Sequence, residues 1–227
     1  MKLFVTILDN YDLLPYFLEH YKSKGITEFY LNVFNGDNNP IWNEIKKYES
    51  SSIKVIGEKD NLQFTGYLDA VIKNRLMNKY LKDKEFCVIC DLDEFYDTNI
   101  KDIDLSGCDG VQTEFLDRIT EDGVIPKLNK GDDLEKKFPV KREYTKEKGL
   151  SSHKTIITHK DNPVYAGAHN CLFDYNVKKV GKLHHFKWHG DVIERMRVKA
   201  IRYKKLGIQY EPFENIVKEY NRKGKLW

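Results

Sequence analysis

The sequence predicts an α/β fold with a mostly parallel, Rossmann-like central sheet flanked by helices and a more mixed C-terminal half. Two observations predict it. Over the first 95 residues, short apolar runs alternate with segments of helical period, the pattern of strand–helix–strand units. The runs are also short and rich in Val, Ile, Phe and Tyr, as strands of a helix-covered parallel sheet are. The chain of 227 residues, 41% hydrophobic and 13% aromatic, has enough apolar surface for a sizeable core, which excludes general disorder.

Residues 2–8 form the first β-rich run, and residues 12–22 show helical spacing. Asn10 or Asp12 is placed to cap that helix, Pro15 is tolerated in its first turn, and Gly25 stops it. Residues 29–34 read as a second strand, followed by the turn-rich Asn35-Gly36-Asp37-Asn38-Asn39-Pro40. A short helix over 41–48, a third strand over 53–56 and a longer helix over 63–81 follow. In the longer helix Leu68, Val71, Ile72, Leu76 and Met77 share one face. The fourth strand, 86–90, runs directly into Asp91-Leu92-Asp93-Glu94-Phe95. Ligands of such sheets gather at the carboxyl ends of the strands, so the polar segments 9–12, 35–39 and 91–97 are expected on one rim. Further on, 110–115 reads as a strand, 130–133 and 144–152 as mobile loops, and 154–158 with 164–168 as a hairpin or meander. Residues 191–206 and 214–220 read as helices. All of this fits one domain over 1–227, with a first half to residue 97, a second stretch over 98–190 and basic helices over 191–227.

No apolar run approaches the roughly 20 residues that span a bilayer, and the opening residues are too short and too quickly acidic for a signal peptide. The expected location is cytoplasmic. The formal charge of +3 hides an asymmetry. Residues 178–227 hold 14 Lys and Arg against 5 Asp and Glu, whereas residues 1–177 hold 24 against 30. A basic end suits nucleic acid, an anionic membrane surface or ligand phosphates, or else forms a solvated helix face. Four cysteines do not make a disulfide framework. Cys87 and Cys90 match CxxC, but on a buried strand residues three apart point to opposite faces, so core thiols are expected.

Asp91 and Asp93 immediately follow a buried strand. On extended chain, carboxylates at i and i+2 project to the same side and repel unless solvated or paired with a cation. Hard divalent ions take few carboxylates and complete their shell with water and ligand phosphates, so a placed Asp-x-Asp suits a metal-held diphosphate. An acidic turn capping the next segment is the plain structural reading.

The strand followed by Asp91-Leu92-Asp93-Glu94-Phe95 resembles the DxDEF signature of GT-A fold glycosyltransferases related to family 2. It is most similar to the branch that includes family 92 and small viral and bacterial sugar transferases. The strand, Asn10, the run Leu13-Leu14-Pro15-Tyr16-Phe17-Leu18-Glu19-His20-Tyr21 and Gly25 resemble that branch's opening. Gln63, Asn74, Lys154, His169 and Leu183-His184-His185-Phe186 fall where it places a Gln, an Asn, a Lys, a His and a His-aromatic element. The likeness runs over about residues 2–200 and is patchy from 98 to 150. No Glu-Asp pair matches the usual family 2 base motif.

The resemblance implies a nucleotide-sugar site. Thr6, Leu8, Asn10, Asn35 and Asp37 would face nucleobase and ribose, with Gln63 and Asn74 nearby. Asp91 would sit near ribose and metal, and Asp93, Asp91 and His185 would hold Mn²⁺ or Mg²⁺. Lys154 and Lys187 would contact phosphate, His169 the acceptor, and Trp188 would stack on a sugar. Glu114 or Asp117 would take the acceptor hydroxyl's proton. The expected activity is transfer of a sugar from a UDP-type donor to a hydroxyl of a glycan acceptor, with inversion and metal dependence. No nucleic acid is needed; peripheral membrane contact through the basic C-terminal helix is admitted. A sugar-phosphate nucleotidyltransferase is the enzymatic alternative, although it would want a Gly-rich loop after the first strand, where residues 8–12 contain no Gly. A nucleic-acid-binding module using the basic end is the non-enzymatic alternative, and it leaves the acidic motif unexplained.

Overall fold

The computed structural model describes residues 1–58, 63–172 and 176–227. The chain divides into two compact units. The first comprises 1–114 and 153–183, and the second 115–152 and 184–227. The expected middle stretch over 98–190 is therefore shared between the units.

The first unit begins β1 (Lys2–Ile7), α1 (Leu14–Ser23), β2 (Glu28–Val33), α2 (Trp42–Lys46), β3 (Ile53–Ile56), α3 (Gly66–Tyr80) and β4 (Phe86–Cys90). β3, β2, β1 and β4 are neighbours in that order, and all three pairings are parallel. β1 is buried on both faces from Leu3 onward, as the helix-covered parallel sheet requires. α3 lays Leu68, Ile72, Leu76 and Met77 onto Phe4, Tyr30, Cys87 and Ile89. Val71, expected on that face, is exposed. Gly25, at φ +96, follows α1. Neither Asn10 nor Asp12 caps that helix; Asn10 Oδ1 instead accepts from Asp12 N at 2.9 Å.

β5 (Glu94–Tyr96), β6 (Gly110–Ile119), β8 (His153–His159) and β11 (Val177–His185) extend the order to β3-β2-β1-β4-β8-β6-β11-β5. Beyond β4 the sheet turns antiparallel at β8 and β6. The expected hairpin of 154–158 with 164–168 is not formed. β8 pairs with β4 and with β6, while β9 (Val164–Tyr165) pairs with β10 (Asn170–Cys171). A central strand offers β8 two full ladders, which a hairpin partner cannot match. All four cysteines are buried thiols, which for Cys87 and Cys90 is what the strand geometry predicts.

The second unit holds α4 (Leu134–Lys137), β7 (Val140–Arg142), α5 (Tyr144–Glu147), α6 (Val192–Lys205) and α7 (Glu211–Lys223). β7 pairs antiparallel with β6, Asp117 opposite Arg142. Residues 144–152, expected as a mobile loop, begin with α5, and Tyr144 is part of the core. That core gathers Ile119, Tyr144, Trp188, Met196, Ile216 and Leu226. Among the described residues no helix is long and apolar enough to cross a membrane.

The rim of the parallel strands depends on one close backbone approach. A Cβ at Gly57 would lie 2.7 Å from Gly36 Cα and 3.1 Å from the Trp42 ring, so the end of β3 packs on the turn after β2 only with glycine there. Gly57→Ala is expected to cost about 1–3 kcal/mol through forced backbone displacement, measured by urea unfolding; an unchanged midpoint would refute the packing constraint.

Candidate active site

In the 3-2-1-4 order the chain leaves β1 toward β2 on one side, while β4 lies on the other. The β1/β4 boundary is thus a topological switch point, where ligands of open α/β sheets bind. Asp91 stands at the carboxyl end of β4 on that boundary. Instead of continuing as extended chain, Asp91 to Glu94 makes a turn in which Glu94 N donates to Asp91 O at 3.1 Å. The half-buried Asp93 lies in this turn. Glu94 folds back, its Oε2 accepting from Asp91 N at 2.6 Å.

Two lysines meet on the Asp91 carboxylate. Lys73 Nζ lies 2.6 Å from Oδ1 and Lys154 Nζ 2.6 Å from Oδ2. Lys73 also pairs with Asp69 at 2.7 Å, and Lys154 with Glu94 at 2.8 Å. Both lysine side chains are fully buried, whereas Asp91 keeps 42% of its side chain exposed. The network therefore opens to solvent at Asp91. Burial opposes the charge on Lys73, and Asp69, Asp91 and Glu94 outweigh it and raise its pKa. Lys154 is raised by Asp91 and Glu94 against the same opposition. The low-dielectric surroundings likewise oppose ionisation of Asp91, and Lys154 and Lys73 outweigh them, holding its carboxyl well below the usual carboxylate range. Lys73 sits on α3 at i+4 from Asp69, so one helix face delivers both.

The first two loops are stitched together by Asn39, whose Nδ2 donates to Leu8 O at 2.6 Å and Phe34 O at 2.9 Å. Thr6 is in register with Asn32 on β2, and its buried Oγ1 has no hydrogen-bond partner among the described residues. Leu8 is half-buried against the core. Asn35 adopts a left-handed conformation (φ 67) that opens the turn carrying the exposed Asp37.

Other expected donor contacts are placed differently. Gln63 is exposed and precedes α3, whose cap is Thr65 accepting from Leu68 N at 3.2 Å. Asn74 spends both ends of its amide on Val164, at 2.9 Å each; it pins β9 to α3 and offers no donor contact. Lys154, expected on phosphate, has its ammonium committed to Asp91 and Glu94. His169 Nδ1 donates to the His153 carbonyl at 2.7 Å. Burial, then the nearby Lys154, pushes its pKa down to about 4, so its ring is neutral at pH 7. A Cβ at Gly167 would come within 3.2 Å of that ring.

In the second unit, Asp117 is fully buried and saturated. Its Oδ1 accepts from Thr145 Oγ1 (2.7 Å), Trp188 Nε1 (2.9 Å) and His185 Nδ1 (3.0 Å), and its Oδ2 from Thr145 N (2.6 Å). Despite burial, the His185 and Thr145 contacts lower its pKa. This carboxylate is a structural acceptor with no solvent access, which removes it as a proton acceptor for a substrate. Trp188 is fully buried with its ring edge-on to Tyr144, so it stacks on no sugar. Lys187 Nζ lies 5.6 Å from the Trp188 ring centre. Glu114, in the first unit, is exposed and ion-paired with Lys182.

The expected metal set was Asp91, Asp93 and His185. Both Asp91 oxygens face ammonium groups, and His185 directs Nδ1 to Asp117. Among the described residues no three His, Cys, Asp or Glu side chains group as an ion site. These side chains do not fit a metal centred on Asp91. Asp69 and Lys73 lay outside the sequence expectation, and Asn39 entered it only as part of the polar segment 35–39. The i, i+4 acid–lysine pair inside an otherwise apolar helix face was the available signal for the first two.

No protein-family model matches the sequence, and no curated protein matches it. Solved structures similar to the chain include HddC from Yersinia pseudotuberculosis, at 12% identity over 86% of this chain and 96% of that one, with a TM-score of 0.46. S. aureus TarS 1–349 in complex with UDP-GlcNAc is similar at 16% identity over 97% of this chain and 71% of that one, TM-score 0.44. The galactosyltransferase LgtC in complex with donor and acceptor sugar analogues is similar at 14% identity over 95% and 69%, TM-score 0.31. All three scores lie below 0.5, and the architecture rests on the strand order described above.

Lys154→Met takes the buried ammonium away from both Glu94 and Asp91, and is expected to cost about 3–5 kcal/mol in chemical unfolding. Combining it with Glu94→Gln should recover part of that loss, because the carboxylate that paired with the ammonium goes too; additive losses would refute the coupling. For His169, the folded pKa lies below the unfolded value of about 6.5. Its contribution is complete above that value and is lost as pH falls toward about 4. Wild type should therefore lose stability over that window more steeply than His169→Gln, and parallel curves would exclude a buried neutral ring.

Proposed function

We propose that this chain is a glycosyltransferase of the GT-A kind that takes its sugar from a nucleoside diphosphate sugar, most simply a UDP-sugar, and passes it to a hydroxyl of a glycan. The observation that carries this reading is the partly exposed, firmly ionised Asp91 at the switch point between β1 and β4. Each Asp91 oxygen has one lone pair engaged by a lysine and another available, so the carboxylate is suited to accept from the hydroxyls of a ribose or sugar. Lys73 and Lys154 hold it in one orientation, which favours positioning over mobility. Thr6 near the end of β1, and Leu8, Asn10, Asn35 and Asp37 on the loops that follow β1 and β2, are then the groups beside the nucleoside. Transfer with inversion needs a carboxylate to take the acceptor proton; of the two expected, Glu114 is the exposed one.

Calorimetric titration of UDP, GDP and dTDP into the full chain, each with and without Mn²⁺, tests the reading. Binding of one nucleotide that weakens at least tenfold in Asp91→Asn, with the fold retained by circular dichroism, is the expected result. Absence of binding by all three in both conditions would overturn it.

A further inference from the structure

The sequence leaves one feature that sugar transfer does not use, the basic helix α6. It carries Arg195, Arg197, Lys199, Arg202, Lys204 and Lys205 against a single acid, Glu194. Val192, Met196 and Ala200 are buried and face the core of the second unit. At 100° per residue, Val198, Ile201 and Lys205 lie on the opposite line of the helix. There Val198 is 41% exposed and Ile201 46%, and Leu206 just beyond the helix is 47% exposed. A helix needing only solubility would place polar side chains on that line.

Beside this line, α6 and α7 bound a groove of about 410 Å³. Ala200, Ile201 and Val217 supply its apolar lining, and Arg197, Lys204 and Lys205 its basic lining, with Glu214 the acid present. Glu214 is ion-paired with Lys218 at 2.8 Å, and Glu194 with Arg197, so the acids of this face are already neutralised and the surplus positive charge of the groove is that of Lys204 and Lys205.

We propose that the outer face of α6 docks the protein on an anionic lipid surface. Aliphatic Val198 and Ile201 on the exposed line, with Lys205 on it and Lys204 beside it, match the two parts of such a surface, acyl chains at the interface and anionic headgroups above them. Nucleic acid fits less well: its phosphates would engage the basic groups but leave Val198, Ile201 and Leu206 uncovered. The inference does not depend on the catalytic reading.

Flotation of the full chain with phosphatidylcholine vesicles, with and without phosphatidylglycerol, tests it. Binding is expected only with the anionic lipid and should fall with added salt. Lys204→Gln and Lys205→Gln should each weaken it by roughly fivefold, and Ile201→Glu by tenfold or more. All three side chains are exposed, so the variants should keep the wild-type unfolding midpoint. Three outcomes overturn the proposal: no vesicle binding, binding unaffected by Ile201→Glu, or a wild-type dimer in sedimentation velocity that Ile201→Glu dissociates, which would give the face to a second copy.

Discussion

Lys73 and Lys154 approach the Asp91 carboxylate from two elements far apart in sequence, and the first unit is organised around that meeting. Lys73 comes from α3, Asp91 from the end of β4 and Lys154 from β8, with Asp69 and Glu94 completing the partners. Removing two ammonium groups from water is costly, and it is offset only because each finds two carboxylates at hydrogen-bond distance. The arrangement gains specificity: α3, β4 and β8 have one relative position in which no buried charge is stranded. It also leaves one ionised oxygen pair at the mouth of the parallel strands.

The second unit treats a carboxylate in the opposite way. Asp117 is surrounded by the Thr145 amide and hydroxyl, the Trp188 indole and the His185 ring, and no face of it reaches solvent. A nearby residue does the same with a cation. Arg118 is fully buried, donating to Phe138 O at 2.8 Å and to Glu135, with its guanidinium over Phe186. These neighbouring charges on β6 fix α4, α5 and the segment after β11 around the aromatic core. Asp91 and Asp117 thus share chemistry and differ in access: one carboxylate meets solvent and the other does not.

The loops at the parallel rim are similarly over-determined. Asn39 ties the exits of β1 and β2, and the Gly36–Gly57 contact brings the exits of β2 and β3 together. A rim held this rigidly presents Asp91 and the β1 loop in a constant geometry, as the proposed donor site would require.

Local pattern suffices for the parallel half of the fold. Alternation of apolar runs with helical period places β1 to β4 and α1 to α3 to within a few residues, because those signals are local. It also determined that acidic residues end β4 and that Cys87 and Cys90 are core thiols. The partner of each polar side chain, by contrast, follows from long-range packing. Lys154 looks like a solvated strand lysine until β8 is set between β4 and β6; Asn74 looks like a ligand contact until β9 lies against it. Trp188 and Asp117 look like site residues until they close on each other. In every case the partner is distant in the chain, and the cost of burying a polar group unpaired selects a partner that local pattern does not contain.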